Sequence, residues 1–507
     1  MKNLKTNLID RDAPLEIHSE EFRKLGYLLV DEIAEFLDGL SQRPVTVDED
    51  PQTIRKILGP DKLPEGGSPA NELFEDITDL LFDHSLFNGH PRFWGYITSS
   101  AAPIGALADL LASSVNPNVG ASILSPIASE IEAQTIRWIA DMIGFPRTCG
   151  GLLVSGGNMA NFVCFLAARK SKVTWDLKED GLSASKQRLV VYVSKETHTW
   201  IDKAAELFGL GAKSVRWIKT NADQQMDVES LEKQIVADLA DEYLPFLVVG
   251  TAGTVSTGAI DPLNEIADVC KKYDLWFHVD GAYGAPAAVL PDASLQLLGL
   301  RKADSLALDP HKWLYSPLEA GCVLVRDPHH LVETFSHHPV YYNFDGNQED
   351  PPINFFEYGL QNSRGFRALK VWLALRQVGR EGYIQMIGDD IALAQALHEK
   401  IDIHPELQGV TQNLSITTFR FIPLDLISLQ ADSDSYLNKL NEELLNRLQK
   451  SGEAFISNAM VDGKYLLRAC IVNFRTTLSD VEALPEIVIR LGRKLDSEIR
   501  PKSFLAS

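Results

Sequence analysis

The first hundred residues carry a helical pattern of apolar positions. Between residues 19 and 40 the apolar side chains recur at the spacing of one helix face. Glu20 and Glu21 lie where acidic side chains stabilise a helix N-terminus. A second helical pattern covers residues 72–87, and the stretch 51–71 before it is predicted to be rich in loops. Such helices need another apolar surface to cover them, so we interpret residues 1–100 as a helical arm that packs on a second subunit.

Residues 150–326 show a different pattern, in which short apolar runs alternate with helical stretches. Apolar runs of this length, separated by helices, are typical of strands that are buried on both faces of a parallel sheet. The six runs cover residues 151–154, 189–193, 246–249, 275–279, 305–308 and 322–325. The sequence therefore predicts an α/β fold built on a mainly parallel central sheet.

Small, polar or ionisable residues follow five of these runs. In sheets of this kind, ligands bind beyond the carboxyl ends of the strands. The five stretches are Ser-Gly-Gly-Asn at 155–158, residues 194–198, residues 250–254, Asp280, and Asp-Pro-His-Lys at 309–312. We expect these five stretches to meet at one edge of the sheet and to form a single site.

Two further segments follow the predicted sheet. Residues 335–362 have little periodicity but contain several aromatic side chains, a combination that is typical of a lid over a binding site. Residues 385–507 alternate helical and strand patterns. The predicted organisation is therefore an N-terminal helical dimerisation arm at 1–100, a large domain at 101–384 and a small C-terminal α/β domain at 385–507.

Charge and cysteine content limit the compartment and the partners. The 507 residues include 48 basic and 69 acidic side chains, a net charge of -21, which argues against nucleic acid and anionic membranes as partners. The five cysteines form no close pair, which fits a reducing compartment and argues against a disulfide framework. The N-terminus lacks the apolar core of a signal peptide, so a cytoplasmic location is expected.

Lys312 and Asp280 are the first candidates for chemistry, because each follows a predicted buried strand. A lysine in partly apolar surroundings can form a covalent adduct with a carbonyl group, although most lysines are simply surface charges. Asp280 is either a buried structural acceptor or the partner of a cation such as the pyridinium nitrogen of pyridoxal 5'-phosphate (PLP). Their occurrence at successive strand ends favours the second interpretation.

The other strand ends offer a phosphate site and further polar groups. The turn at 155–158 opens a predicted helix whose N-terminus can hold a phosphate, although such a turn is also a common helix cap. The motifs of dinucleotide and ATP sites are absent from the sequence. His198 can stack on a planar ring or be an ordinary loop residue, and Thr254 can bind a cofactor or cap its own turn. The histidine pairs at 329–330 and 337–338 lack ligands at metal spacing, so no metal is expected.

These motifs resemble those of the group II PLP-dependent amino-acid decarboxylases, which include aromatic-L-amino-acid, tyrosine and glutamate decarboxylases. The resemblance spans residues 20–490 and is most specific at 277–283 (FHVDGAY) and 309–313 (DPHKW). Weaker matches lie at 90–94, 155–158, 166–169 and 365–372. The resemblance implies a fold type I enzyme in which 101–384 is the PLP-binding domain, and a homodimer whose N-terminal helices wrap the partner.

The resemblance also implies roles for single residues. Lys312 matches the lysine that binds PLP covalently, and Asp280 matches the partner of the ring nitrogen. His198 and Ala282 match the residues on the two faces of the ring. Gly157 and Asn158 match the phosphate-binding turn, with Asp309 near the phosphate and His311 before the lysine as in relatives. Many relatives have Asn where Asp309 stands, which leaves the local hydrogen bonding open.

Decarboxylation of an aromatic L-amino acid to an amine and carbon dioxide is the function that the resemblance favours. Tyr341 in the predicted lid matches the tyrosine that protonates the substrate Cα, and Tyr342 beside it is the alternative assignment. Related aldehyde synthases commonly have phenylalanine at that position, so the tyrosine favours a decarboxylase.

The substrate remains open from the sequence. The region expected to contact it contains Tyr96, Asn88, Ile97 and Gly120, of which Tyr96 matches the relatives that act on aromatic substrates. A PLP-dependent aldehyde synthase, or a decarboxylase of glutamate or aspartate, is the alternative function. A catalytically silent relative is a third possibility, disfavoured by the retained site residues.

Overall fold

The structure of the chain is a computed structural model, and it describes residues 13–59, 62–337 and 352–501. Tyr341 and Tyr342, with most of the predicted lid, lie outside the described residues. None of the described helices is long and apolar enough to cross a membrane.

Three helices form the N-terminal region: α1 (Ser19–Gly39), α2 (Pro51–Leu58) and α3 (Ala70–His84). The predictions for α1 and α3 are confirmed, whereas the loop expected after residue 50 is wrong for its first eight residues, which form α2. The Asp50 side chain caps α2 by accepting bonds from the Gln52 and Thr53 amides at 2.7 and 3.1 Å. These bonds, that from Thr53 first, lower the pKa of Asp50. The Asp-Pro pair at 50–51 is a helix start signal, and it outweighed the turn-rich composition that follows.

A seven-stranded sheet forms the centre of the molecule. Its strands are β1 (Gly150–Val154), β2 (Leu189–Ser194), β3 (Val215–Ile218), β4 (Leu244–Thr251), β5 (Trp276–Asp280), β6 (Ser305–Leu308) and β7 (Gly321–Val325). Their order is β1-β7-β6-β5-β4-β2-β3, and β7 is antiparallel to both neighbours while the other pairs are parallel. The six predicted strands and the mainly parallel α/β sheet are confirmed. Strand β3 was not predicted, because it lies at the edge of the sheet and is not a continuous apolar run. Trp217 is exposed there and Arg216 is half-buried.

Helices cover the sheet and close its core. They are α4 (Pro103–Val115), α5 (Pro126–Met142), α6 (Gly157–Lys172), α7 (Leu177–Asp180), α8 (Trp200–Leu207), α9 (Val228–Ala240), α10 (Leu263–Tyr273) and α11 (His329–Phe335). All residues of β1, β2, β5, β6 and β7 are buried, so these strands have helices or loops on both faces. This burial fixes the strand ends, and the side chains that follow them, in one rigid frame.

The C-terminal part has its own sheet and its own apolar core. Its elements are α12 (Ala368–Ile403), β8 (Leu407–Asn413), β9 (Ile416–Phe421), α13 (Gln430–Ser451), β10 (Ser457–Val461), β11 (Lys464–Cys470) and α14 (Leu478–Ile499). The four strands are antiparallel in the order β10-β11-β9-β8. Helix α12 continues across residue 384 and packs both on helices of the central part and on the C-terminal sheet. Gly379 is its one residue with non-helical backbone angles. The domain limits at residues 100 and 384 stay a prediction.

Asp390 on α12 joins the C-terminal part to the segment that follows β6. Its Oδ2 atom accepts hydrogen bonds from Trp313 Nε1 at 2.9 Å and from the Tyr315 hydroxyl at 2.7 Å. The side chain is buried, and this burial raises the pKa of Asp390 to about 7. Because the folded state holds this proton more tightly than the unfolded state, Asp390 favours folding below pH 4 and loses that contribution as the pH rises to about 7.

An Asp390→Asn variant tests this pH dependence. We expect the free energy of unfolding of the wild type, relative to the variant, to fall by about 1.4 kcal/mol per pH unit between about pH 4 and 7. Above pH 7 the difference should be constant. Urea unfolding of both proteins at pH 5, 6, 7 and 8 measures it, and other titrating groups cancel because both proteins share them. A difference that does not change with pH would contradict the raised pKa.

Candidate active site

A cavity of about 390 Å³ lies at the carboxyl ends of β1, β2, β4, β5 and β6. Each of the five predicted stretches contributes to its wall, so the prediction that they meet at one edge is confirmed. The residues that line it are Ile97, Ser155, Gly156, Gly157, Asn158, Asn161, Glu196, His198, Thr251, Gly253, Val255, Asp280, Ala282, Tyr283, Asp309, His311, Lys312, Leu318 and Glu319.

The turn between β1 and α6 presents backbone amides to this cavity. Gly156 has a φ of +119°, a conformation that other residues rarely adopt. Helix α6 begins at Gly157 without a side-chain cap, so its first amides are available to a ligand. A Cβ atom on Gly157 would lie 2.6 Å from Asp309 Oδ2, which shows how closely this turn approaches the segment after β6. Amides and helix dipole together suit an anion such as a phosphate.

Asp280 ends β5 and is held by three hydrogen bonds. Its Oδ2 atom accepts from Trp200 Nε1 at 2.8 Å and from Asn161 Nδ2 at 3.2 Å, while Oδ1 accepts from the Ala282 amide at 3.2 Å. The residue is buried but reaches the cavity wall. Oδ1 therefore keeps the capacity to accept a further bond from a cationic N–H group in the cavity.

Sequence reasoning missed both side chains that hold Oδ2 of Asp280. Asn161 lies one turn after Asn158 on α6, so helical spacing from the predicted turn was a usable signal. Trp200 begins α8 two residues after His198, and a large, mainly apolar side chain gave no sign of a polar contact.

Lys312 lies in the turn after β6 and pairs with Asp309. The Lys312 Nζ atom is 3.0 Å from Asp309 Oδ2, and the lysine side chain is 22% exposed, towards the cavity. Asp309 is buried, and its Oδ1 atom has no hydrogen-bond partner within the part of the chain that the structure describes. A buried, unpaired carboxylate oxygen beside the anion-binding turn is a group whose environment a ligand must complete.

Two histidines with lowered pKa values lie in the same cavity. His198 is exposed to the cavity, yet the surrounding protein desolvates it, and this desolvation lowers its pKa. His311 is half-buried, and burial lowers its pKa as well. The Nδ1 atom of His311 lies 2.7 Å from the Ala320 carbonyl, which orients the ring. Both imidazoles are therefore predominantly neutral at pH 7.

The structure does not bring Thr254 to the cavity. Its side chain is fully buried and its hydroxyl lies 3.0 Å from that of Thr257, while the neighbouring Gly253 and Val255 line the wall. Of the two interpretations considered from the sequence, this geometry matches a residue that stabilises its own turn.

Only Ile97 of the four predicted substrate residues lines the cavity within the described chain. Asn88 lies in an adjoining cavity of about 240 Å³ that shares His311 with the first. The Tyr96 side chain is 62% exposed, and Gly120 packs against the backbone of Asn362. Contact of these three residues with substrate stays a prediction.

Comparison with known proteins identifies the family. The family described as "Pyridoxal-dependent decarboxylase conserved domain" matches residues 51–421. The chain belongs to this family. An aromatic-L-amino-acid decarboxylase of Bacillus atrophaeus is 36% identical over 468 residues, which cover 92% of this chain and 94% of the relative. This pyridoxal-dependent decarboxylase therefore resembles that relative over almost its full length.

Solved structures agree with this membership. The structure of Oryza sativa TDC with PLP and tryptamine matches with a TM-score of 0.88 at 26% identity, covering 96% of this chain and 99% of that one. Rhodiola rosea 4-hydroxyphenylacetaldehyde synthase matches with a TM-score of 0.83 at 26% identity, covering 96% and 100%. The fold is therefore the fold type I arrangement that the sequence predicted.

The cofactor of this decarboxylase is PLP, and the cavity has the chemistry to hold it. The amides at the start of α6 match the phosphate, and Lys312 can bind the aldehyde carbon. Asp280 Oδ1 matches the protonated ring nitrogen. The unpaired Asp309 Oδ1 is the exception, because a carboxylate beside a phosphate is a repulsive neighbour unless one of them carries a proton.

Proposed function

We propose that this PLP-dependent decarboxylase converts an aromatic L-amino acid to the corresponding amine and carbon dioxide. One observation carries the proposal: Lys312 and Asp280 lie in the wall of one cavity. Lys312 follows β6, and Asp280 ends the neighbouring strand β5. The resemblance to the Bacillus atrophaeus aromatic-L-amino-acid decarboxylase supports the substrate class. Apolar side chains in the cavity wall, from Ile97, Val255 and Leu318, suit an aromatic ring better than a second carboxylate.

Each site residue has a distinct role in this proposal. The Lys312 amine would hold the cofactor through its aldehyde carbon. Bound PLP supplies a ring that accepts the electron pair left on the substrate Cα when carbon dioxide departs. Asp280 would accept a hydrogen bond from the ring nitrogen, and His198 and Ala282 would pack on the faces of the ring. Tyr341 remains the predicted donor of the proton to Cα, with Tyr342 as the alternative.

A second copy of the chain completes the proposed enzyme. Helices α1, α3 and α4, with the segment 122–127, expose many large apolar side chains that the described chain leaves uncovered. They are Phe22, Tyr27, Leu73, Ile77, Leu81, Leu107, Leu110, Leu111, Val115, Ile123, Leu124 and Ile127. An apolar area of this extent is typical of an obligate homodimer interface. Sedimentation equilibrium at micromolar concentration should give twice the chain mass.

A cytoplasmic location stays a prediction from the cysteine pattern.

Product analysis tests the proposed activity. The purified protein with PLP is incubated with each of the twenty common amino acids and with DOPA, and carbon dioxide, amine, ammonia and peroxide are measured. We expect carbon dioxide and amine in equal amounts from aromatic substrates. Oxygen consumption with release of ammonia and peroxide would instead identify an aldehyde synthase. Activity on glutamate or aspartate alone would overturn the aromatic assignment.

Asp309 should weaken the binding of PLP. Its carboxylate faces the turn that is proposed to bind the phosphate, and it holds the Lys312 amine at 3.0 Å as an ion pair. Asp309→Asn keeps the shape, removes the like charge and frees the lysine. We expect the dissociation constant of PLP, measured by fluorescence quenching, to fall about tenfold in this variant.

Two ligands separate the two causes of this effect. Pyridoxine 5'-phosphate has the phosphate but no aldehyde, so a gain in its affinity measures relief of charge repulsion. Pyridoxal has the aldehyde but no phosphate, so a gain in its affinity measures release of Lys312. Unchanged or weaker binding of all three ligands by Asp309→Asn would contradict the prediction.

A further inference from the structure

A line of hydrogen bonds leads from the core of the central sheet to Asp280. Trp276 Nε1 is 2.8 Å from Ser305 Oγ, which is 2.8 Å from His278 Nδ1. His278 Nε2 is 2.7 Å from Asn161 Oδ1, and Asn161 Nδ2 is 3.2 Å from Asp280 Oδ2. All five residues are buried, and the proposed reaction uses only the last of them.

Chemistry fixes the direction of donation along this line. An indole N–H can only donate, so Ser305 accepts from Trp276 and turns its own proton towards His278. At the other end, Asp280 Oδ2 also accepts from Trp200 Nε1 at 2.8 Å, so this oxygen is an acceptor. Asn161 must therefore present its NH₂ group to Asp280 and its carbonyl oxygen to His278.

As a neutral ring, His278 satisfies both neighbours in one tautomer. Its Nδ1 accepts from Ser305, and its Nε2 carries the proton that Asn161 accepts. Burial lowers the pKa of His278 to about 4, so this single tautomer persists at neutral pH. Every bond in the line thus points the same way, and each donates towards Asp280.

The consequence for Asp280 is that its two oxygens differ. Among the residues that the structure describes, Oδ2 receives two side-chain N–H donors and Oδ1 receives the Ala282 amide alone, so Oδ1 can accept a further bond from a ligand in the cavity that Asp280 lines. Hydrogen bonds of this kind stabilise the ionised form of a carboxylate and hold its orientation. A carboxylate held in this orientation would offer Oδ1 as the hydrogen-bond acceptor for the cofactor nitrogen.

We propose that Trp200 and Asn161 are positioning residues that fix the orientation of the Asp280 carboxylate, so that Oδ1 can accept a hydrogen bond from the ring nitrogen of PLP. Trp200 is the stronger of the two, because its bond is shorter and its fully buried ring packs edge-on against His278 at 5.9 Å. This inference rests on the proposed role of Asp280 as the partner of the ring nitrogen. It adds two side chains that act on the reaction through Asp280.

The test compares PLP with 1-deaza-PLP, an analogue in which a C–H group replaces the ring nitrogen. Trp200→Phe removes the N–H donor and keeps a buried aromatic ring. We expect the preference for PLP over the analogue, taken as the ratio of dissociation constants, to fall about tenfold in this variant. Damage to packing would weaken both ligands alike and leave the ratio unchanged.

Trp276→Phe is the matched control. It removes an indole N–H from a buried tryptophan of the same line, but at Ser305 rather than at Asp280. Its ligand preference should equal that of the wild type. Asn161→Leu removes the other donor to Oδ2 and should lower the preference in the same direction as Trp200→Phe, so the proposal stays testable if either variant folds poorly.

A spectroscopic measurement and one more variant complete the design. With PLP labelled at the ring nitrogen, the ¹⁵N signal should move towards its unprotonated position in Trp200→Phe and not in Trp276→Phe. Asp280→Asn should abolish the preference for PLP. If Asp280→Asn keeps the wild-type preference, the assigned role of Asp280 is wrong. If it loses the preference while Trp200→Phe and Asn161→Leu keep it, only the positioning inference is overturned.

Discussion

The Lys312→Ala variant should lose the visible absorbance of covalently bound PLP and should decarboxylate at least about a thousandfold more slowly than the wild type, the order of loss seen when a covalent nucleophile is removed. Lys312 lies in the turn after β6 and lines the cavity. Alanine offers no amine to bind the cofactor aldehyde, although the uncapped amides of the first turn of α6 would still be available to the phosphate. The variant should therefore bind PLP reversibly. Absorbance spectroscopy before and after gel filtration, with a carbon dioxide assay, measures both effects.

Lys312→Arg provides the matched control for charge. Arginine keeps a cation beside Asp309, whose Oδ2 atom lies 3.0 Å from the lysine amine in the wild type. It cannot bind the aldehyde carbon as a free amine, since a guanidinium remains protonated. Both variants should lose activity, while Lys312→Arg should retain more of the native thermal stability. Persistence of the cofactor absorbance in either variant would refute the assignment of Lys312.

The position of the site could be predicted from the sequence because it depends on strand ends. Continuous apolar runs predict the buried strands of a parallel sheet. Because these strands run in the same direction, their carboxyl ends lie at one edge. That reasoning placed Lys312, Asp280 and His198 in one cavity, as the structure shows. It needed no knowledge of how the helices pack.

Contacts between elements far apart in the chain were beyond such reasoning. Trp200 and Asn161 meet at Asp280 because α8 and α6 pack on the same sheet. Helical spacing from Asn158 could have pointed to Asn161, but no local pattern points to Trp200. The orientation of the Thr254 side chain could not be predicted for a related reason. A difference of one residue along a turn decides whether a side chain faces the cavity or its own loop. Strand order depends on the same packing.

The buried pair of Arg364 and Glu132 should have the largest effect on stability. Both side chains are at most 1% exposed, and they bond to each other through both guanidinium NH groups. Arg364 also donates to the Val119 carbonyl at 2.7 Å and to that of Leu153 at 2.6 Å. Leu153 lies in β1 just before the anion-binding turn, so the pair supports the cofactor site. We expect Arg364→Met to lower the free energy of unfolding by about 3–5 kcal/mol, because Glu132 is left as an unpaired buried charge.

The double variant Arg364→Met/Glu132→Leu distinguishes this cause from loss of packing. Removing both charges eliminates the unpaired carboxylate, so the double variant should be more stable than Arg364→Met although it carries one more substitution. Recovery should be incomplete, because the Leu153 amide donates to Glu132 at 2.8 Å and would lose its acceptor. Urea unfolding of the wild type, both single variants and the double variant gives the coupling energy. Additive losses would show that the two charges act independently, and the account of a coupled buried pair would then be wrong.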